Sequence, residues 1–217
     1  MVLKMKNNIV YKDYDINIFD RSLTNDCKVI IYLKFYEWDK SDFNIKNCTL
    51  VSITKKDIFD YLSPWYSFDF KGKADILSSD LEEIINILKE NNKFKNSKFY
   101  VVGYSLGGLA SLYLCLKNKK LSGFASMSGS LWYPDFMNYF RNFKNLDNIE
   151  IAYLSIGDRE TKGLNGKFKD IINYTKEVYD IFKNNDTISK FELNKGTHFD
   201  DVEERIEKGI DFILNEK

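Results

Sequence analysis

The order of apolar segments predicts an α/β protein with a mostly parallel central sheet and helices on both faces. Short β-branched and aromatic runs alternate with longer segments of helical periodicity through the second half of the chain. A serine flanked by glycines separates one such strand from the helix after it. The other chemistry-bearing residues fall just past strand ends, where sheets of this kind gather their functional groups.

In chain order, apolar residues roughly alternate from Ile9 to Phe19, which predicts one strand. Lys28 to Phe35 and Thr49 to Thr54 predict two more, and an aromatic loop runs through Asp60, Pro64, Trp65 and Phe70. Asp75 to Glu90 has helical spacing, and Ser79 with Glu82 three residues on matches a capping box, which would start that helix at Ser79. Lys98 to Gly103 is a short apolar strand leading into the helical run Leu106 to Leu116. Gly123–Ser128, Ile149–Ile156 and Thr187–Leu193 read as strands. Pro134–Asn142, Lys167–Lys183 and Asp201–Leu214 read as the helices between and after them.

The chain has 217 residues, a length that fits one domain spanning 1–217. Lys plus Arg and Asp plus Glu both total 32, so the net charge is zero. That argues against a nucleic-acid or anionic-membrane partner, which would call for a basic excess. Cys27, Cys48 and Cys115 are odd in number and widely spaced, fitting neither a disulfide framework nor paired metal ligands. No signal-peptide pattern follows the lysine-rich start and no apolar run nears 18 residues, so a cytoplasmic protein is expected.

The segment Gly103-Tyr104-Ser105-Leu106-Gly107-Gly108 matches the G-x-S-x-G pattern. A serine on a tight strand-to-helix turn is forced into a strained conformation that projects its hydroxyl out of the sheet, and the glycines keep neighbouring backbone from clashing. The helix starting there turns free N–H groups toward a developing oxyanion, with that of Leu106 as the natural first donor. The alternative is a glycine-rich turn with an incidental serine. A strand before the motif and a helix after it favour the functional reading.

The chain holds one histidine, His198, in Lys195-Gly196-Thr197-His198-Phe199-Asp200, after the last strand and before the last helix. Imidazoles suit proton transfer near neutral pH. An acid to orient it should follow the strand Ile149–Ile156, where Gly157-Asp158-Arg159-Glu160 stands. Spacing alone favours neither Asp158 nor Glu160. Asp200 and Asp201 lie too near His198 in sequence for that task and should complement the dipole of the final helix.

Together, Gly103–Gly108, Ser126-Met127-Ser128-Gly129-Ser130-Leu131-Trp132, Gly157–Glu160 and Thr197–Phe199 resemble the esterases of the α/β-hydrolase fold that include enterochelin (siderophore) esterases and esterase D, the S-formylglutathione hydrolase. The resemblance runs from about Ile9 to Leu214. It implies a Ser–acid–His triad and favours Glu160 over Asp158, since siderophore esterases commonly carry the acid as Glu in a Gly-x-x-Glu turn. Many relatives have a glycine after the strand corresponding to Lys28–Phe35, near the second oxyanion donor. This chain has Lys34-Phe35-Tyr36-Glu37-Trp38 there, so the donor falls to the backbone of Tyr36 or Glu37.

Trp38, Trp65 and Trp132 all fall at expected carboxyl ends of strands, and Tyr104 adjoins the serine. Packing is the ordinary fate of one aromatic, but this clustering suggests an aromatic-walled substrate pocket. Only one short helix fits between Trp132 and Ile149, so no separate lid domain is expected. The expected activity is hydrolysis of small soluble or aryl esters, with a siderophore lactone or acylated sugar next in rank and no cofactor. The rivals are a thioesterase or acyltransferase using the same triad, and a non-catalytic binding domain. The residues do not specify an oligomeric state.

Overall fold

The computed structural model describes residues 5–25, 27–35, 43, 45–68, 70–161 and 169–216. Its strands are β1 (Met5–Tyr11), β2 (Tyr14–Asp20), β3 (Val29–Leu33), β4 (Thr49–Lys55), β5 (Tyr66–Ser67), β6 (Phe70–Lys71), β7 (Phe99–Tyr104), β8 (Leu121–Met127), β9 (Ile151–Gly157) and β10 (Ile188–Asn194). The helices are α1 (Ile58–Leu62), α2 (Ala74–Glu90), α3 (Leu106–Lys117), α4 (Phe136–Asn142), α5 (Ile171–Asn184) and α6 (Val202–Asn215). Eight strands form one sheet in the order β1-β2-β4-β3-β7-β8-β9-β10. From β4 to β10 every pairing is parallel, whereas β1–β2 and β2–β4 are antiparallel.

The period-2 alternation of the central strands divides the core between two faces. Val29, Ile31, Phe99 and Val101 pack with Leu81 of α2, Leu109 and Leu112 of α3, and Phe182 of α5. Their neighbours Ile30, Tyr32, Tyr100 and Val102 turn the other way, toward Ile206, Ile210 and Ile213 of α6. Strands buried on both sides read as nearly continuous apolar runs, which is how β3, β7 and β9 read in the sequence.

Several expectations need correction. The single strand expected over Ile9–Phe19 is a hairpin, with β1 and β2 paired from Met5↔Asp20 to Tyr11↔Tyr14. The chain reverses at Lys12, whose φ is 44°, without the Asn-Gly or Asp-Gly signature that would have announced the turn. The aromatic loop contains a short helix, α1, and a small β5–β6 hairpin. The Ser79–Glu82 capping box does not form: α2 begins at Ala74, and the Ser79 hydroxyl donates back to the Asp75 carbonyl (3.3 Å) inside the helix. Helix α5 begins at Ile171, and the expected start at Lys167 lies outside the described residues.

The topology places the ends of β7, β8, β9 and β10 side by side at one edge of the sheet. Between Trp132 and Ile149 the chain forms α4 as its one helix, so no separate lid domain stands there.

Candidate active site

Ser105 follows β7 and precedes α3, with φ 52° and ψ −119°. A serine at positive φ is strained, and that strain is stored at the turn carrying its hydroxyl. Gly103 is needed beneath it, since a Cβ there would lie 2.3 Å from the Gly107 carbonyl oxygen. The main chain is further fixed by Ser105 N–H donating to the Met127 carbonyl (3.0 Å) and Ser130 N–H donating to the Ser105 carbonyl (3.0 Å). Leu106 opens α3, so its N–H precedes any acceptor within the helix.

The His198 turn follows β10. Gly196 has φ 120°, where a side chain would be strained, and a Cβ there would meet the Asp200 side chain at 2.8 Å. Asp200 accepts hydrogen bonds from the Thr197 N–H (2.7 Å) and hydroxyl (2.9 Å), so it also builds this turn. Asp201 occupies the N-cap position of α6 with φ 54° and no side-chain capping bond.

These turns bring Ser105, His198 and Glu160 together. His198 Nε2 lies 3.0 Å from Ser105 Oγ, and Nδ1 lies 3.0 Å from Glu160 Oε2. The second carboxylate oxygen, Oε1, accepts from the Ser128 hydroxyl (2.5 Å) and the Gly157 N–H (2.8 Å). Asp158 goes elsewhere: its Oδ1 accepts from the Gly196 N–H (2.8 Å), tying the two turns together. Of the two carboxylates the sequence left open, Glu160 is the one that meets the imidazole.

Glu160 is only 7% exposed. Burial pushes its pKa up, but the hydrogen bonds from His198, Ser128 and Gly157 outweigh that and hold it below the ordinary glutamate value. A depressed carboxyl pKa contributes stability that is present above the unfolded value, about 4.3. That contribution is lost as pH falls through the folded value. Urea unfolding midpoints should therefore fall more steeply below about pH 4.5 in the native chain than in Glu160→Gln. Parallel slopes would mean that this carboxylate contributes nothing to acid lability.

Tyr104 is buried, its ring lies 5.4 Å from the His198 ring, and its hydroxyl donates to the His198 carbonyl (2.7 Å). It therefore sits beneath the histidine, not on an open substrate wall. Trp65 is half-buried, donates its indole N–H to the Pro134 carbonyl (3.0 Å), and packs on Tyr113, Tyr133, Phe136 and Tyr139. Trp132 stands edge-on to the exposed Phe68 and borders a cavity of about 360 Å³ with Asn138, Arg141 and Tyr174. It follows Ser130, whose hydroxyl is 3.4 Å from that of Ser105. Tyr36, expected as the second oxyanion donor, and Trp38, expected in the pocket wall, lie outside the described residues, as does Glu37.

Sequence reading missed Ser128 and Arg205. Ser128 follows β8 at φ 48° and donates to Glu160. Arg205 lies on the inward row of α6 with Ile206, Gly209, Ile210 and Ile213. An arginine on an apolar stripe was the available signal. Among the described residues, no group of three or more His, Cys, Asp or Glu side chains could hold a metal ion. Nor is any helix there long and apolar enough to cross a membrane.

A mostly parallel sheet flanked by helices, with a strained serine after a central strand and a histidine after the last one, is the α/β-hydrolase fold. Solved structures share it. A siderophore hydrolase, EstB, from Aspergillus nidulans matches with a TM-score of 0.68 and 14% identity, over 96% of this chain and 93% of that one. Enterochelin esterase from Shigella flexneri matches at 0.71 and 17% identity, over 95% of this chain but 57% of that one. An S-formylglutathione hydrolase from Agrobacterium tumefaciens matches at 0.58 and 11% identity, over 96% and 92%. No family model and no curated protein matches the sequence.

Proposed function

We propose that this chain is a serine carboxylic-ester hydrolase acting through an acyl-enzyme. The observation that carries the reading is the unbroken line from Ser105 Oγ to His198 Nε2 and from Nδ1 to Glu160 Oε2, each step 3.0 Å. Support also comes from similarity in fold to proteins described as a siderophore hydrolase, an enterochelin esterase and an S-formylglutathione hydrolase.

In this mechanism His198 Nε2 takes the Ser105 proton as Oγ attacks the ester carbonyl. Glu160 stabilises the imidazolium that forms and keeps the imidazole in the required tautomer. The oxyanion is held by the Leu106 N–H, with a second donor assigned to the backbone at Tyr36. His198 then returns the proton to the departing alkoxide. Water, deprotonated by the same imidazole, releases the acid and restores Ser105. The scheme needs no metal or organic cofactor and no nucleic-acid or membrane partner. We assign small soluble or aryl esters as substrates, with Trp132 on the pocket side, then a siderophore lactone or acylated sugar. Trp65, packed among Tyr113, Tyr133, Phe136 and Tyr139, takes a structural place instead of the expected substrate contact.

The test is a fluorophosphonate probe alongside p-nitrophenyl butyrate. Stoichiometric labelling at Ser105 with turnover of the ester is expected. A folded chain that neither labels nor turns over would leave the binding-domain reading in its place. Labelling with cleavage of thioesters only, or with acyl transfer to an acceptor in place of water, would move it to the thioesterase or acyltransferase class.

A further inference from the structure

We propose that Arg205 is a positioning residue of this site: its buried guanidinium fixes Glu160 and, through Tyr104, the backbone of His198. The proposal rests on the esterase reading above.

Arg205 is 1% exposed. Its Nη1 lies 3.3 Å from Glu160 Oε1, 3.3 Å from Ser128 Oγ and 3.2 Å from the Tyr104 hydroxyl. Its Nη2 lies 3.3 Å from the Lys195 carbonyl. One side chain thus reaches the segments that end or follow β7, β8, β9 and β10, which between them carry Ser105, Glu160 and His198. The planar guanidinium can aim several donors in fixed directions at once, which an ammonium on a flexible stem cannot.

The arrangement is asymmetric in a way that matters. Oε1 receives the Ser128 hydroxyl, the Gly157 N–H and Arg205, while Oε2 is left facing His198 Nδ1. Donors fixed on one oxygen hold the carboxylate from rotating and present the other to the imidazole. The same guanidinium donates to the Tyr104 hydroxyl, which in turn donates to the His198 carbonyl. Gly209, one turn further along α6, lets the helix lie close on the sheet: a Cβ there would sit 2.7 Å from Met127 Sδ and 3.2 Å from Ala125 Cβ. That close seating lets a side chain from α6 reach the strand ends.

A buried charge that merely filled space would affect stability alone; a positioning charge affects the rate through Glu160. The experiment is a double-mutant cycle of Arg205→Met and Glu160→Gln, with kcat and KM for p-nitrophenyl butyrate, the probe-labelling rate and Tm measured for each protein. Arg205→Met is expected to lower kcat by roughly 30- to 100-fold with KM within about twofold, the scale on which small misplacements of a catalytic group act. In the Glu160→Gln background the same change should cost less than about threefold, because the carboxylate that Arg205 holds directly is already gone and only the tie to the His198 carbonyl through Tyr104 remains. Equal losses in both backgrounds, in step with Tm, would overturn the proposal. If Arg205→Met does not fold, Arg205→Lys keeps the charge and removes the fork. A drop of about tenfold in kcat supports the proposal, and undiminished kcat in a folded Arg205→Lys overturns it. A wild-type chain inert to probe and ester would sink the esterase reading and this inference with it. Failure of this inference alone appears as a reactive wild type with unaltered Arg205 variants.

Discussion

Ser105→Ala and His198→Ala are each expected to reduce p-nitrophenyl ester hydrolysis by roughly 10⁵-fold or more, and the double variant should be hardly slower than either. The reason is geometric. His198 Nε2 makes its 3.0 Å contact with Ser105 Oγ, and in the proposed mechanism neither group performs its step without the other. Members of one relay are therefore not additive. The chain has a single histidine, so no second imidazole can replace the first. Ser130 is the one neighbour to watch, because its hydroxyl stands 3.4 Å from that of Ser105. Steady-state rates on the three purified variants decide the matter. Turnover of Ser105→Ala near the native rate would end the assignment of Ser105 as nucleophile. Loss of that residual rate in the Ser105→Ala, Ser130→Ala pair would hand the role to Ser130. Losses that multiplied in the Ser105, His198 double variant would mean that the two groups act independently.

The parallel half of the sheet was legible because strands such as β7, buried on both faces, leave a run like Phe99–Tyr104 almost without polar interruption. Helices α5 and α6 show a 3.6-residue stripe, whereas α3, buried from Leu106 to Leu116, reads as a nearly continuous apolar run. The Ser105 turn was legible because its strain has a glycine requirement at fixed spacing, and His198 because it has no competitor in the chain. What stayed hidden depends on contacts that no local pattern encodes. The β1–β2 reversal rests on Lys12 at positive φ, a conformation usually left to Gly, Asn or Asp. Helix α1 is five residues long, too short to show a period. Arg205 meets Ser128 and Glu160 across separations of 77 and 45 residues. A helix stripe can reveal that such an arginine faces inward, but not what it faces. The two acids stand two residues apart at the end of one strand, and the choice between them is made in space: Asp158 meets the Gly196 N–H while Glu160 turns back beneath His198.

That division leads to the sharpest contrast between two conservative changes. Glu160→Gln should slow hydrolysis by about 10³- to 10⁴-fold, whereas Asp158→Asn should cost less than about tenfold. In the native site the donors around Oε1 decide the outcome. The Gly157 N–H and Arg205 can only donate, so a glutamine at this position must turn its carbonyl oxygen toward them. Its NH₂ then faces His198 Nδ1, which has to become an acceptor. The imidazole proton moves to Nε2, the atom 3.0 Å from Ser105 Oγ, and an N–H there cannot take the serine proton. The fold survives while the base is held in the wrong tautomer. At Asp158 the same exchange leaves an amide oxygen able to accept the Gly196 N–H that the carboxylate now accepts at 2.8 Å, so the turn carrying His198 keeps its tie. Values of kcat for the two variants, compared at a pH where the native rate is flat, measure the contrast directly. A larger loss for Asp158→Asn than for Glu160→Gln would transfer the acid's role to Asp158 and require the turn after β9 to rearrange when substrate binds.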